Sequence, residues 1–444
     1  MQNHLNTLDQ RLYWTAFLLG LGIGLVMVFN AQVGGDQIIM LDLGWSLFND
    51  GQWLQYGMPT SAGGRSPGGL TALLVAAPLY VWQDYRAVAA LTLLINAASF
   101  LLLRHLLRPV LTTAGQWLLL LLVWLTPWHL YFAAHIWNSN YMFAFAVLHL
   151  ASVQRMSKHR EAWNTALHGL LIALAMQVHT SAAVLAILSI LLFLKGHLKI
   201  HWGGFVIGIS LGIASYLPWF IAVTADPTLQ PGNKGFFLRG LVYVQPLFKG
   251  LLQWLKMGSL SMADRMLDFD FTAALGATAN AWLRPLGRGV GLLAHVSLLV
   301  PLWVNWRVFV RRRRFTQLWR AMPPLEQVSP RSGLRSYITL MFAAALISFA
   351  VSPTTPMWWQ AFVMLPCSAL LVIMTTEALL RTQHRQRVLC IICIWSVTTL
   401  TLLLMMAIAS PMYRCGGRSI LGDNTQLFQQ LKLPMQCLNP DVSR

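Results

Sequence analysis

The run from residue 388 to residue 410 reads VLCIICIWSVTTLTLLLMMAIAS and contains no Asp, Glu, Lys or Arg. An α-helix rises about 1.5 Å per residue, so about 20 apolar residues cross the roughly 30 Å hydrocarbon core of a bilayer. Two basic residues, Arg385 and Arg387, precede the run. The stretch therefore predicts a helix that spans a membrane.

Ten further apolar runs precede this one in the 444 residues, with polar or basic segments between them. The chain is 56% hydrophobic and only 10% charged, whereas soluble domains carry about 25% charged residues. This composition excludes a soluble globular protein and predicts an all-α polytopic membrane protein with about 11 transmembrane helices. The predicted spans are 12–30, 87–103, 116–133, 139–154, 163–179, 181–194, 202–224, 286–306, 337–352, 358–376 and 388–410.

The distribution of basic residues predicts the orientation of the chain, because Lys and Arg concentrate in cytoplasmic loops. If the ambiguous stretch 68–83 does not cross, 19 of the 32 basic residues and only four acids lie on one side. We therefore predict that 68–83 is a juxtamembrane helix at the outer interface and that the first span is retained rather than cleaved. The N-terminus is then cytoplasmic and the C-terminus lies on the outer side, which is the periplasm if the membrane is a bacterial inner membrane.

This topology also accounts for the net charge of +18. The basic residues lie between apolar runs rather than on a soluble basic face, so we expect membrane lipids, and no nucleic acid, as partners. The chain divides into an N-terminal membrane module, a large outer loop, further membrane helices and a short outer C-terminal tail. Their predicted bounds are 1–224 (with a first outer loop at 31–86), 225–285, 286–410 and 411–444.

Five cysteines divide into two groups. Cys367, Cys390 and Cys393 lie inside predicted spans, where a thiol behaves as a small apolar residue. Cys415 and Cys437 both lie in the outer tail, and we expect them to form a disulfide in an oxidising periplasm. Such a bond would order a tail that is too short for a core of its own.

The first outer loop carries the acidic residues nearest to a span. Asp36 follows the first span, and apolar residues recur every four positions after it, at Ile39, Leu43 and Leu47. This spacing predicts a short amphipathic helix with Asp36 at its start, where the side chain would otherwise serve as a helix cap. Asp42 comes six residues later, on a different face, so these two carboxylates alone do not form a shared metal site.

The order of residues in this loop resembles the membrane-embedded GT-C glycosyltransferases, in particular the branch of the lipid A aminoarabinose transferase and the protein O-mannosyltransferases. Members of that branch carry an Asp-Glu pair after span one, a short helix, a Gly-x-Trp about fifteen residues on, and a Lys-Pro-Pro-Leu-like turn before an interfacial helix. Here Asp36 matches the Asp, Gly51 and Trp53 the Gly-x-Trp, and the stretch 65–70, Arg-Ser-Pro-Gly-Gly-Leu, replaces the turn.

The resemblance continues through residues 135–138 and 169–181 and covers roughly the first 220 residues; beyond these only the span pattern and a large outer loop agree. Three positions depart from the family. Gln37 replaces the family's Glu, Asn138 stands where some members have an Asp, and Arg65 lies one place before the missing Lys of the turn. Two anionic ligands are thereby lost, so the resemblance leaves a requirement for a divalent metal open.

The resemblance implies transfer of a sugar from a polyprenyl-phosphate donor, such as an undecaprenyl phosphate, to a glycan, lipid or protein on the periplasmic side. An acceptor needs a base, and a phosphate leaving group needs cations. The base is then Asp36, and the donor phosphate contacts are Arg65, Lys234 and Arg239. The substrate-binding candidates are Asp42, His135, Asn138 and His179. No cofactor is predicted, and the sugar and the acceptor stay open.

Each of these residues also has a structural interpretation. An interfacial Arg or Lys can extend its charge to water, a histidine can be a satisfied polar residue, and Asn138 can cap the following span. The resemblance further implies that loop 225–285 covers the site and contacts the lipid carrier, with Asp268 and Asp270 either serving the acceptor or forming a solvated turn.

The alternative function is a transporter or flippase of a lipid-linked saccharide. That class calls for ionisable residues inside the spans, and the predicted spans are almost free of Asp, Glu, Lys and Arg. We also find no internal sequence repeat of the kind on which many transporters are built. A non-catalytic scaffold is a third interpretation, but it leaves the spacing from Asp36 to Trp53 unexplained.

Overall fold

The computed structural model describes residues 7–53, 55–60, 64–229, 239–261, 268–310, 329–415 and 425–437. The first half of the chain forms α1 (Thr7–Phe29), α2 (Gly35–Asp50), β1 (Tyr56–Pro59), β2 (Arg65–Pro67), α3 (Leu70–Leu79), α4 (Tyr85–Leu107), α5 (Thr113–Leu119), α6 (Pro127–Ala133), α7 (Met142–Lys158), α8 (Ala162–Val178), α9 (Ala183–Leu194) and α10 (Trp202–Ala225). The second half forms α11 (Arg239–Val242), α12 (Gln245–Met257), α13 (Thr272–Val296), α14 (Leu299–Asn305), α15 (Pro330–Val351), α16 (Leu365–Leu379), α17 (Arg385–Tyr413) and α18 (Thr425–Gln430).

The long helices make this an all-α multi-pass membrane protein. Among the described residues, seven helices are long and apolar enough to cross a membrane, or eight if a bent pair is counted as one span. Each of the eleven predicted spans overlaps a helix, but those predicted at 139–154, 163–179 and 181–194 fall on α7, α8 and α9, which have only 17, 17 and 12 residues. At about 1.5 Å per residue these three are shorter than the bilayer core is thick.

The predicted span 116–133 is not one straight helix. Its first half is α5, which a π-helical turn extends to Trp124, and its second half is α6. The axes of the two halves are bent by 52° relative to each other. The break lies at Leu125 and Thr126, and Pro127 occupies the first turn of α6. Proline has no backbone N–H to continue the preceding helix, but it fits the first turn of a new one.

Helices α2 and α3 form a packed pair beside the two-stranded sheet, so the expected helices of the first outer loop are present. They approach closely at Gly44, where an added Cβ would lie 2.2 Å from Cγ1 of Val75. The buried face of α2 differs from the expected stripe. Ile39 and Leu47 are only half-buried, whereas Ile38, Leu41 and Trp45 are buried together with Leu43, because α3 covers a face adjacent to the four-residue repeat.

Part of the segment expected to cover the site is packed inside the bundle instead. Trp254 of α12 is fully buried, and its indole N–H donates to Asn305 Oδ1 at 3.1 Å. Ser368 Oγ donates to the Trp254 carbonyl at 2.6 Å, and the ring of Phe349 lies where a Cβ on Gly250 would be. Helix α13 also begins at Thr272, fourteen residues before the expected span.

The C-terminal tail is tied by a disulfide between Cys415 and Cys437, whose Cα atoms are 4.9 Å apart. Phe428 and Leu431 of the tail are completely buried and belong to the same hydrophobic core as the membrane helices. The remaining cysteines carry free thiols: Cys367 is buried, and Cys390 and Cys393 are exposed on α17.

Candidate functional site

The carboxylate of Asp36 lies in the first turn of α2, directly after the loop that follows α1. Gly34 is the cap residue of this helix, and no side chain caps it, so Asp36 does not serve as the cap. Asp36 is exposed, and within the described residues its side chain makes neither a hydrogen bond nor an ion pair. An acidic group in a first turn is stabilised by the helix dipole. The carboxylate is therefore accessible and held by the backbone alone.

The loop between α1 and α2 (residues 30–34) fixes where Asp36 lies. Its Gln32 accepts a hydrogen bond from the hydroxyl of Tyr131, with an O–O distance of 3.0 Å. The Tyr131 ring in turn stacks on His135, with ring centres 4.1 Å apart and planes inclined by 24°. The structure thus connects His135, predicted to bind substrate, to the loop that leads into Asp36.

One ring nitrogen of His135 is hydrogen-bonded within the protein, and the other has no hydrogen-bond partner among the described residues. Its Nδ1 is hydrogen-bonded to the Tyr131 carbonyl, whereas its Nε2 is buried and has no partner among the described residues. Burial lowers the pKa of His135 to about 4, so the imidazole is neutral near pH 7. A neutral imidazole can donate or accept one further hydrogen bond at Nε2.

Asp42 lies on another face of α2, where the positive charge of Arg65 acts on its carboxyl group. Desolvation raises the pKa of the Asp42 carboxyl, and the positive charge of Arg65 partly opposes that rise. Asp36 and Asp42 are six residues apart, about 9 Å along the helix axis. The two carboxylates face different directions, as the sequence spacing predicts.

Arg65 is presented by the hairpin of β1 and β2. Tyr56 pairs with Pro67 and Pro59 with Arg65 across the two strands, and the guanidinium carbon of Arg65 lies 5.4 Å from the centre of the Tyr56 ring. Its Nη1 is buried without a hydrogen-bond partner among the described residues. An unpartnered guanidinium nitrogen is costly to bury, so this one is suited to donate a hydrogen bond to an anionic oxygen.

The opposite face of the hairpin carries a second set of unsatisfied groups. The hydroxyls of Ser66 and Thr71 are buried and have no partner within the described chain. Both lie within 3.5 Å of the point that a Cβ on Gly57 would occupy. The missing side chain of Gly57 therefore lets these two hydroxyls approach the hairpin backbone closely.

Asn138 and His179 meet at the end of α8 and are engaged in local structure. The Asn138 amide donates to the Val178 carbonyl at 2.8 Å and accepts from the Ser139 N–H at 3.0 Å. His179 Nδ1 accepts from the Ser181 N–H at 3.1 Å and so caps a 3-10 turn. These bonds hold the turns in place, and the substrate-binding role of both residues stays a prediction.

The remaining predicted cations give less information. Lys234 lies outside the described residues, as does the side chain of Arg239, whose backbone begins α11. The described part of the chain contains no group of three or more His, Cys, Asp or Glu that could hold a metal ion.

The two acidic residues near the start of α13, Asp268 and Asp270, already have hydrogen-bond partners within the protein. Asp268 accepts from Arg284, with Nη2 and Oδ2 2.9 Å apart, and also from Arg288 at 3.4 Å. Asp270 accepts from the Thr272 N–H at 2.9 Å. These partners lower the pKa of both carboxyls. The pair therefore acts as a structural turn rather than as a free acceptor site.

Sequence reasoning missed three residues that support Asp36: Gln32, Tyr131 and Arg414. Tyr131 lies inside a predicted span and Arg414 beside a cysteine, so neither had a local pattern that indicated a contact. Only the packing of α6 and of the tail against the loop after α1 brings them together.

The fold and the site define an all-α multi-pass membrane protein with an exposed carboxylate and a half-buried arginine on one short helix-hairpin unit. No family model matches the chain, and no curated relative matches it in sequence. Among solved structures, the chain is similar to the crystal structure of ArnT from Cupriavidus metallidurans in the apo state. That match has a TM-score of 0.47 and 11% identity, and it covers 90% of this chain and 76% of that chain.

Proposed function

We propose that the protein is a membrane glycosyltransferase of the GT-C type that transfers a sugar from a polyprenyl-phosphate donor to a glycan, lipid or protein. One observation carries the proposal: Asp36 is exposed and unpaired within the described residues, and the adjacent hairpin presents Arg65 with a buried, unpartnered Nη1. The first group suits proton abstraction and the second suits binding of phosphate.

The chemistry assigned to these residues is a displacement at the anomeric carbon. The acceptor O–H or N–H attacks that carbon and gives its proton to the Asp36 carboxylate. The bond from the anomeric carbon to the phosphate oxygen breaks, and its electron pair leaves with the polyprenyl phosphate. Arg65 stabilises the negative charge that develops on this leaving group, and Lys234 and Arg239 are proposed as further phosphate contacts.

His135 and Asp42 are proposed to bind the substrates. The buried Nε2 of His135 has no partner among the described residues and is available to a sugar hydroxyl. Asp42 balances the charge of Arg65 and thereby sets how strongly that side chain attracts an anion. The proposed setting is the periplasmic side of a bacterial inner membrane, with the orientation that the distribution of basic residues predicts.

The test compares two Asp→Asn changes on α2 in a strain that lacks the chromosomal gene. Asp36→Asn removes the proposed base, whereas Asp50→Asn makes the same change at the far end of the helix, where Asp50 accepts from the side chain of Asn49. Membrane lipids and surface glycans are measured by mass spectrometry. Loss of a general base lowers a rate by about 10²- to 10⁴-fold.

We expect the deletion strain and the Asp36→Asn strain to accumulate a polyprenyl-phosphate sugar and to lack one glycan residue. The Asp50→Asn strain is expected to restore the wild-type profile. Purified Asp36→Asn protein should still bind undecaprenyl phosphate, because the phosphate contacts are intact. Restoration of the wild-type profile by Asp36→Asn would contradict the proposal.

The transporter alternative has one observation in its favour, a polar cluster inside the bundle. His149 bonds to the Tyr337 hydroxyl and to Ser189 Oγ, both at 2.9 Å, and His168 bonds to the same Ser189 oxygen at 3.0 Å. Ionisable groups at such depth are often functional. The remaining ring nitrogen, His168 Nδ1, bonds to Ser152 at 2.6 Å. Because every ring nitrogen of the two histidines has a partner, the cluster is as well suited to joining four helices as to transport.

The two functions differ in where the lipid-linked sugar accumulates. A missing transferase leaves it on the periplasmic leaflet, and a missing flippase leaves it on the cytoplasmic leaflet. Labelling the sugar from outside in spheroplasts of the deletion strain therefore separates them.

A further inference from the structure

The C-terminal tail is docked on the loop that leads into Asp36. We define the clasp as residues 410–415 and 425–437. The backbone N–H of Val33 donates to the carbonyl of Arg414 at 2.7 Å, and Val33 and Cys415 form a parallel bridge. Only two residues separate Val33 from Asp36. The position of the first turn of α2 therefore depends directly on the clasp.

Side chains add to this backbone contact. Asn30 donates to Ser410 Oγ at 2.8 Å and accepts from the guanidinium of Arg414. The 30–34 loop is thus held on one side by the end of α17 and on the other by Tyr131, which donates to Gln32. A segment with two independent anchors has a single defined position, whereas loss of one anchor lets it shift.

The far end of the clasp is anchored as well. The Tyr85 N–H at the start of α4 donates to the Leu431 carbonyl at 3.1 Å, and Phe428 and Leu431 are completely buried. The disulfide then joins this end to Cys415, next to Arg414. A covalent bond across a sequence separation of 22 residues limits how far the tail can leave the loop.

We propose that the clasp is a positioning element for Asp36, that Arg414 is its positioning residue, and that sugar transfer requires the Cys415–Cys437 disulfide to keep it closed. This inference rests on the proposed function. Proton abstraction requires the carboxylate within hydrogen-bond reach of the acceptor, and a displacement of about 1 Å can cost a hundredfold in rate. Binding of the donor phosphate at Arg65 does not pass through the clasp.

The first arm of the test measures the geometry without any substrate. Amide hydrogen exchange is followed in the full-length purified protein for Cys415→Ser/Cys437→Ser and for the matched control Cys390→Ser/Cys393→Ser, whose thiols are exposed on α17 and form no disulfide. We expect exchange of the peptide covering residues 30–38 to rise by about tenfold or more in the first variant and to be unchanged in the control. Equal protection in both variants would overturn the proposal.

The second arm separates positioning from a general loss of structure. Undecaprenyl phosphate is the binding probe, and glycan modification in rescued cells, normalised to folded protein, reports transfer. We expect the disulfide variant to bind undecaprenyl phosphate within about twofold of wild type while transfer falls about tenfold or more. Parallel losses of binding and transfer would indicate a merely structural role and overturn the proposal.

Arg414 is tested by a conservative pair of variants. Arg414→Ala removes the donor to Asn30, whereas Arg414→Lys keeps a cationic donor at that position. Transfer should fall in the first variant and recover in the second, and wild-type transfer by Arg414→Ala would overturn the role of this side chain. If the wild-type protein transfers no sugar, the proposed function fails, and the exchange arm still decides whether the clasp holds the 30–34 loop.

Discussion

Arg331 and Glu377 form a salt bridge in which Nη2 and Oε2 are 2.6 Å apart. The Glu377 side chain is 1% exposed and its other oxygen accepts from both the N–H and the hydroxyl of Thr112, at 2.7 and 2.6 Å. One carboxylate thus joins α15, α16 and the start of α5.

Loss of this carboxylate should destabilise the protein strongly. Glu377→Ala leaves Arg331 and Thr112 without their acceptor, and removal of one member of a buried pair costs about 3 kcal/mol. We expect a clear decrease in the thermal midpoint of the purified protein in detergent. Arg381→Ala, a change at an exposed position just after α16, is the control and should leave the midpoint unchanged; a similar midpoint for both variants would show that the pair contributes little.

Two glycines with positive φ, Gly51 and Gly68, allow the cost of a strained backbone to be measured separately from the cost of a side-chain clash. Gly51 has φ 62° and open space around its missing Cβ, whereas Gly68 has φ 82° and a Cβ there would lie 2.2 Å from Oε1 of Gln177. Both Ala variants pay about 1 kcal/mol for the left-handed conformation. Gly68→Ala additionally displaces Gln177 from its 2.7 Å bond to Ser215.

We expect Gly68→Ala to lose about 1–3 kcal/mol more than Gly51→Ala in denaturant unfolding. The double variant Gly68→Ala/Gln177→Ala should show a coupling energy, because the second change removes the colliding atoms. Strictly additive effects would mean that the hairpin and α8 do not press on each other at this point.

The pKa of Asp42 predicts a pH dependence of stability. Desolvation raises this pKa above its ordinary value of 3.8, so the folded state binds the proton more tightly than the unfolded state. Stability contributed by this group is then present below 3.8 and is lost as pH rises through the folded pKa. Asp42→Asn should lack this loss. Unfolding curves of both proteins between about pH 3 and pH 7 test it, and parallel pH profiles would contradict it.

Arg65 should determine affinity for the donor phosphate. A hydrogen bond to a charged group is worth about 1.5 kcal/mol or more, which corresponds to roughly tenfold in affinity. Arg65→Ala should therefore weaken binding of undecaprenyl phosphate at least tenfold, and Arg65→Lys should retain part of it, since the charge remains but the planar fork is lost. Binding to liposome-reconstituted protein is the measurement, and unchanged affinity in Arg65→Ala would remove Arg65 from the site.

Local sequence patterns predicted the helices that form for local reasons. The long apolar runs predicted α1, α4, α10 and α17, because a backbone in lipid must satisfy its own hydrogen bonds. The four-residue repeat after Asp36 predicted a helix there. It did not predict which face is buried, because that depends on where α3 packs.

Patterns within a single segment did not predict features that depend on contacts between residues distant in sequence. The bend between α5 and α6 and the insertion of Trp254 into the bundle lie within stretches that read as ordinary spans or loops. The histidines of α7 and α8 were likewise not recognised as a pair, since Tyr337 and Ser189, which bond to them, come from two other helices.

The sequence by itself determined that the chain is helical and crosses a membrane, where its longest apolar helices lie, and which carboxylate follows the first span. These depend on composition and on spacing within about 20 residues. Only the tertiary structure decided that the charge of Arg65 acts on Asp42, that His135 is connected through Tyr131 to Gln32, and that Arg414 holds Val33 from 381 residues away along the chain. Such contacts follow from how the helices pack. Packing depends on shape complementarity between segments that are distant in sequence, and the local sequence pattern does not encode this complementarity.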